Sequence, residues 1–321
     1  MTVVWRQLLA VLLLSAAGPV LADAYPTKQV RIVVPFPAGG SADILCRIVA
    51  EQLAERWNQP VIVDNRAGAG GNVGAEIVYR AEPDGYTVLC SPPGPLSINH
   101  NLYKSLPYDW TKFMPVTVLA LVPNAISARI DLPADTAQQL IAYARANPGK
   151  VTYASQGNGS TSHLSAQMLA TMTGVTLVHV PYKGEGPALV DLCAGRVDIF
   201  IGNISAALRF EKAKQLKFLG VASRTRSAVA PDVPAAPEIG LPDLVSSAWF
   251  ALVLPPGTPE AVVGRINTDA GAVLRRPEVR RRFLELGAEP QGDGAAATAA
   301  FIKSEEARWR EVIRSANVVL E

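Results

Sequence analysis

Short runs of apolar residues alternate with stretches of helical periodicity along nearly the whole chain. Val30–Val34 reads as a strand that stops at Pro35, and Ser41 opens a helix to about Trp57, with Ile44, Ile48, Val49, Leu53 and Trp57 on one face. Val61–Val63 reads as a second strand, followed by a glycine-rich turn and a helix from about Asn72 to Arg80; Thr87–Cys90 reads as a third. The pattern restarts at Val151–Ala154, with strands at Thr176–Val180, Val197–Ile201 and Phe218–Ala222. Helices fall near Ser162–Met172, Pro187–Ala194 and Pro259–Arg275, and a last one, about Ala296 to Ser315, carries Phe301, Trp309, Val312 and Ile313 toward a core. Unbroken apolar strands separated by helices indicate parallel sheets covered on both faces.

Two segments break this alternation. Val116–Ala128 is a long apolar stretch interrupted by Pro123 and Asn124, and Ala248–Leu254 is closed by Pro255, Pro256 and Gly257. If the chain leaves one lobe through the first and returns through the second, the molecule is α/β in class, with two lobes joined by two crossing strands and a ligand cleft between them. Lobe 1 is then discontinuous, residues 25–124 plus 248–321, and lobe 2 is residues 125–247. A chain of 321 residues is long enough for two such lobes. In sheets of this kind ligands bind beyond the carboxyl ends of the strands.

The first residues read as an export leader. Arg6 precedes the apolar run Leu8–Leu14 and a small-residue stretch, and cleavage after Ala22 or after Ala24 satisfies the small-residue rule. The run is too short for a transmembrane helix, so a soluble, periplasmic mature protein is expected. With 30 basic against 28 acidic residues and no basic run, nucleic acid is excluded as a partner. Three cysteines, Cys46, Cys90 and Cys193, are too few for a disulfide scaffold and lack zinc spacing; each lies in an apolar run and is expected to be buried and inert. No metal and no cofactor are expected.

Two loops carry the candidate chemistry. Pro35–Asp43 lies between a strand end and a helix start. Gly39 and Gly40 permit a tight turn and close ligand approach, Ser41 can cap the helix, and the free N–H groups behind it form an anion site. Asp43 suits the helix dipole or a ligand hydroxyl or amine. Tyr153–His163 repeats the logic: Gly157 and Gly159 expose backbone donors, Ser155, Ser160, Thr161 and Ser162 offer hydroxyls, and His163 fixes the helix start. Such loops bind an anion by dipoles without a cation. The turn Asp64–Gly74 has its third glycine one place too late for a dinucleotide fingerprint, and no phosphate-loop lysine follows it. A hydrolase reading rests on Ser155, but Tyr153 stands where the nucleophile elbow needs glycine, and sequence brings no histidine and acid to the serine.

The motifs together resemble the Bug family, the extracytoplasmic solute receptors of tripartite tricarboxylate transporters. The resemblance runs through Tyr25–Asp43, Asn65–Asn72, Pro83–Thr87, Leu106–Asp109, Ala146–Lys150, Tyr153–Ser155, His179–Gly184, Pro231–Pro234 and Leu254–Pro259, and so covers the mature chain. It implies a type II periplasmic-binding-protein fold that closes on a small organic carboxylate, with no chemistry of its own. The gripping loops map to Phe36–Asp43, including Phe36 and Ala38, and to Ser155–His163. Ser91 begins the loop after the third strand, and Tyr182 and Lys183 line the second lobe. Implied partners are membrane transporter subunits, or a membrane signalling protein, for a receptor acting as a monomer. Two departures bear on the ligand. Where the family often has an Asp-Asn pair, this chain has Gly202 and Asn203, so an acid is missing; and the Ser91–Pro95 loop is dense in proline. A plain mono- or dicarboxylate, aromatic ones included, is therefore expected over an amino acid.

Overall fold

Strand β1 (Val30–Val34) ends at Pro35, which has no N–H to continue the ladder, and helix α1 (Ser41–Trp57) follows within one turn. The computed structural model describes residues 25–316 and 318; the expected leader, 1–22 or 1–24, lies outside them. The chain continues through β2 (Val61–Asn65), α2 (Asn72–Tyr79), β3 (Thr87–Ser91), a wide π-helical turn (Gly94–Ile98) and the long β4 (Met114–Arg129). Next come α3 (Ala137–Ala146), β5 (Thr152–Ser155), α4 (Thr161–Thr173), β6 (Val178–Pro181), α5 (Glu185–Cys193), β7 (Ile199–Asn203), α6 (Ile204–Lys212) and β8 (Leu216–Val221). The chain then returns through β9 (Ser247–Leu254), α7 (Glu260–Arg275), α8 (Pro277–Glu285), β10 (Glu289–Pro290) and α9 (Ala295–Ser315).

The strands run in the order β2-β1-β3-β9-β4-β7-β5-β6, with β8 and β10 also on β4. Neighbours within β1–β3 and within β5–β7 are parallel, as the helical connections require. The parallel order stops at the centre, where β4 and β9 are antiparallel to their neighbours. These are the two crossing segments. β4 pairs with β9 from Met114↔Leu254 to Pro123↔Ser247, then with β7 from Asn124↔Asn203 onward. Pro123 does not interrupt the strand. It stands where β4 changes partners, so its missing donor falls at the seam between the two halves of the sheet.

Each half has its own apolar packing. Helices α1 and α7 cover one face of the first half, burying Leu45, Val49, Leu53, Ile266 and Val273. In the second, α3 and α4 bury Leu140, Ala144, Ala166 and Leu169 against Tyr153, Ile199 and Ile201. A smaller cluster joins the halves: Trp309 and Ile313 of α9 pack with Ile98, Leu102 and Leu164. Cys46 and Cys90 are buried free thiols, and the neighbouring Cys90 thiol, then burial, pushes the Cys46 thiol up. Cys193 is only half-buried, because it is the last residue of α5, which corrects its expected burial.

Candidate functional site

The carboxyl ends of β1, β3, β5 and β7 meet where the two halves of the sheet face each other. On the first side the turn after β1 is built by Gly39, whose φ of +82° no β-carbon favours. Asp43 holds this turn: its Oδ2 accepts from the Gly39 N–H at 2.9 Å and its Oδ1 from Arg47 Nε at 2.9 Å. Burial opposes the charged form of Asp43, but Arg47, the Gly39 N–H and Asn65 outweigh it and hold its carboxyl below the ordinary value. Phe36 is half-buried and Ala38 exposed on the rim. Gly40 takes the cap position of α1 and supplies no capping side chain. The Ser41 N–H is therefore free for a partner from elsewhere.

That partner is Glu185, the first residue of α5 on the opposite side. Its Oε2 accepts from the Ser41 N–H at 2.6 Å and from the Ser41 hydroxyl at 2.9 Å, and its Oε1 from Gln156 Nε2 at 2.9 Å. Ser41 Oγ also lies 2.6 Å from Ser205 Oγ. Glu185 is 6% exposed. Burial pushes its carboxyl up to about 7, against the opposing effect of the Ser41 and Asn203 donors. Above that pH a carboxylate is thus seated between the halves by N–H and O–H dipoles, with no cation among its hydrogen-bond partners in the described residues.

The second loop spends most of its polar groups on itself. Ser155 Oγ lies 2.7 Å from His179 Nε2 and accepts from the Gly157 N–H at 3.1 Å. Ser160 caps α4, with its Oγ accepting from the His163 N–H and donating to Gly157 O at 2.6 Å. The Gln156 N–H donates to Ser162 Oγ at 2.8 Å, and Thr161 is buried at the helix start. The Gly159 N–H reaches His163 Nδ1 at 3.3 Å, with Gly159 at φ +77°. His163 and His179 stack with ring centroids 4.2 Å apart, and Tyr153 stacks on His179 at 4.7 Å. Burial and the neighbouring ring push His163 down to about 3; burial pushes His179 down to about 4. The Ser155–His179 pair has the spacing of a nucleophile and base, yet among the described residues no carboxylate hydrogen-bonds to His179 to orient it.

A cavity of about 20 Å³, room for roughly one water, remains at the meeting point. Phe36, Gly40 and Asn203 line it with Ser41 and Gln156 from the two gripping loops, and so do Glu185 and Phe250, which sequence reasoning did not single out as ligand contacts. Asn203 is 2% exposed and its Oδ1 has no hydrogen-bond partner. Ser91 is buried behind, its hydroxyl donating to Pro92 O at 2.9 Å. Tyr182 turns aside, donating to Asp191 Oδ2 at 2.8 Å, and Lys183 is exposed. Larger surface hollows, about 360, 560 and 470 Å³, lie away from these loops, and the convergence of buried polar groups makes the small cavity the candidate site.

Gly202 explains one departure and corrects its consequence. A β-carbon there would lie 2.1 Å from the Phe200 ring, so Phe200 fills the space a side chain at 202 would use. The expectation that this end of the cleft lacks an acid does not hold, because Glu185 brings one from α5. No sequence signal separated it from an ordinary helix-dipole acid in the first turn.

Residues 45–318 match the family model described as the tripartite tricarboxylate transporter family receptor, TctC. Among solved structures, a protein from R. palustris solved with adipate is 38% identical, with a TM-score of 0.90 over 92% of this chain and 99% of that one. The periplasmic binding protein BugD is 34% identical, with a TM-score of 0.88 over 92% and 100% of the two chains. MatC from Rhodopseudomonas palustris, with bound malate, is 33% identical, with a TM-score of 0.86 over 90% and 100%. The two-lobed binding-protein architecture and the dipolar seat agree with this kinship, and the chain belongs to the tripartite tricarboxylate transporter receptor family, as a substrate-binding receptor and not an enzyme.

Proposed function

We propose that the protein captures a small organic carboxylate between its lobes and delivers it to a tripartite membrane transporter. The observation that carries this reading is the Glu185 seat: the cleft holds a buried carboxyl group through neutral donors, Ser41 and Gln156. Hydrogen bonds to a charged group contribute roughly 1.5–3 kcal/mol each, so a few such donors suffice to bind an anion. The relatives solved with adipate and with bound malate support the same class. The proposed grip comprises Phe36, Ala38, Gly39, Gly40 and Asp43 from lobe 1 with Ser91, and Ser155, Gly157, Gly159, Ser160, Thr161, His163, Tyr182, Lys183 and Asn203 from lobe 2. The proposed lobes are residues 25–124 plus 248–321 and 125–247, and the change of partners in β4 between Pro123 and Asn124 supports a division near there.

The protein acts outside the cytoplasm as a monomer after removal of its leader. Among the described residues no helix is long and apolar enough to cross a membrane. The intact mass of the exported protein should correspond to a chain beginning at Asp23 or Tyr25; a chain retaining Met1 overturns this. Mass spectrometry of small molecules released from purified, denatured protein should recover a carboxylic acid chemically unchanged by incubation. Release of a neutral or cationic compound that alone raises the melting temperature would refute the carboxylate reading.

A further inference from the structure

The amino end of α1 is the natural anion seat of lobe 1, and a side chain of lobe 2 already fills it. Gly40 leaves the helix uncapped, and a β-carbon at Gly40 would come within 3.1 Å of Glu185 Oε2, so glycine there keeps room for the carboxylate. Both Glu185 oxygens are engaged, by Ser41 N–H, Ser41 Oγ and Gln156 Nε2. Beside them in the cavity wall stands Asn203, whose amide donates toward Glu185 and whose Oδ1 is a buried acceptor with no donor among the described residues. A second anionic group brought to this end would meet the Glu185 carboxylate and an amide oxygen, both of which repel it. A hydroxyl, amide or ammonium would satisfy Asn203 Oδ1 and reach the free lone pairs of Glu185.

We propose that Glu185 is a specificity-determining residue, which replaces a ligand's second carboxylate at the amino end of α1 and selects a monocarboxylate whose far end carries a hydrogen-bond donor over a dicarboxylate. This rests on the carboxylate-receptor reading and narrows it. The selectivity combines an attraction, the donor meeting two acceptors, with a repulsion against the wrong ligand. It also sets this chain apart from the relatives solved with adipate and malate.

The test is calorimetry on the full mature chain at a pH on the order of 8.5, where Glu185 is ionised, with straight-chain acids of four to eight carbons. Each length is offered as the dicarboxylate, the plain monocarboxylate, the ω-hydroxy acid and the ω-amino acid. The wild type should bind the best ω-hydroxy or ω-amino acid at least on the order of tenfold more tightly than the dicarboxylate of equal length. Glu185→Ser, which opens the seat, should reverse or abolish that ratio by gaining dicarboxylate affinity. Glu185→Gln, which keeps the shape and removes the charge, should fall between. A merely structural Glu185 would weaken all four ligands alike in both variants. The proposal is overturned if the wild type prefers the dicarboxylate, or if the ratio is the same in all three proteins. Binding of none of the series by either wild type or variants would also overturn the proposal, while the carboxylate reading is decided separately by the compounds released from the denatured protein. Since the wild-type ratio alone can refute the proposal, a variant that fails to fold does not rescue it.

Discussion

The stacked rings Tyr153, His179 and His163 hold two neutral imidazoles in a space that disfavours their charged forms. Folding lowers the pKa of His163 from 6.5 to about 3 and of His179 to about 4. Below pH 6.5 the unfolded chain therefore binds more protons than the folded one, and stability falls as pH falls. Glu185 acts in the opposite sense. Its pKa rises from 4.5 to about 7 on folding, so the folded state holds the extra proton and stability falls as pH rises between those values. Each group contributes about 1.4 kcal/mol per pH unit inside its window. Between pH 6.5 and 4.5 the two histidines outweigh the one glutamate, and the net expectation is loss of stability on acidification. Denaturant unfolding at pH 6.5 and 4.5 should show this, and Glu185→Gln should steepen the loss by removing the opposing slope. His163→Phe, which keeps the stack, should flatten it. An identical pH profile for all three proteins would mean these groups are solvated in solution.

At the scale of elements, what sequence pattern makes legible is what local chemistry determines. α1 begins and ends where the serine after two glycines and the tryptophan before Asn58 place it, and α4 starts one residue before its expected position. The glycine loops were readable because a turn with φ above zero needs glycine whatever surrounds it. α3, α6 and α8 were not: α8 buries only Val279 and Phe283, α3 buries mostly alanine (Ala137, Leu140, Ala144), and α6 buries a continuous run, Ile204 to Leu208, with no helical spacing. β7 runs two residues past its expected end at Ile201, because Gly202 and Asn203 continue the ladder opposite Ala125 and Asn124. Only the tertiary partner makes those polar positions a strand, and only the fold brings Glu185 to Ser41 from 144 positions away. β7 also supplies a sharp test. Gly202→Ala drives a methyl group into the Phe200 ring, which is fully buried, so a loss of about 1–3 kcal/mol is expected by denaturant unfolding. The double variant with Phe200→Leu should recover much of it. A neutral Gly202→Ala would mean that Phe200 adopts another rotamer without cost.

For the whole molecule, the cavity of about 20 Å³ sets the mechanical problem, because an organic acid of several carbons cannot enter it without separation of the halves. Separation breaks the bonds of Ser41 with Glu185 and Ser205, which span the cleft. The connection that survives is β4 with β9, and its pivot lies where Pro123 pairs with Ser247 and β4 changes partners. Around that pivot Asn124 Nδ2 donates to Ser246 Oγ at 2.8 Å and to Ser165 Oγ at 3.0 Å, a buried polar knot able to turn without exposing apolar surface. Trp309 and Ile313, packed on both Ile98 and Leu164, add a clasp on the far side that must loosen as the halves part. A ligand that bonds to both loops at once has more contacts in the closed arrangement than in the open one, and by that difference alone it shifts the population toward closure. Small-angle scattering should therefore give a smaller radius of gyration at ligand saturation than without ligand. Trp309→Ala, by releasing the clasp, should enlarge the ligand-free radius while leaving the saturated one nearly unchanged. An unchanged profile in the wild type, with binding confirmed by calorimetry, would place the ligand on one lobe only or show the cleft closed before binding, and either result refutes closure on capture.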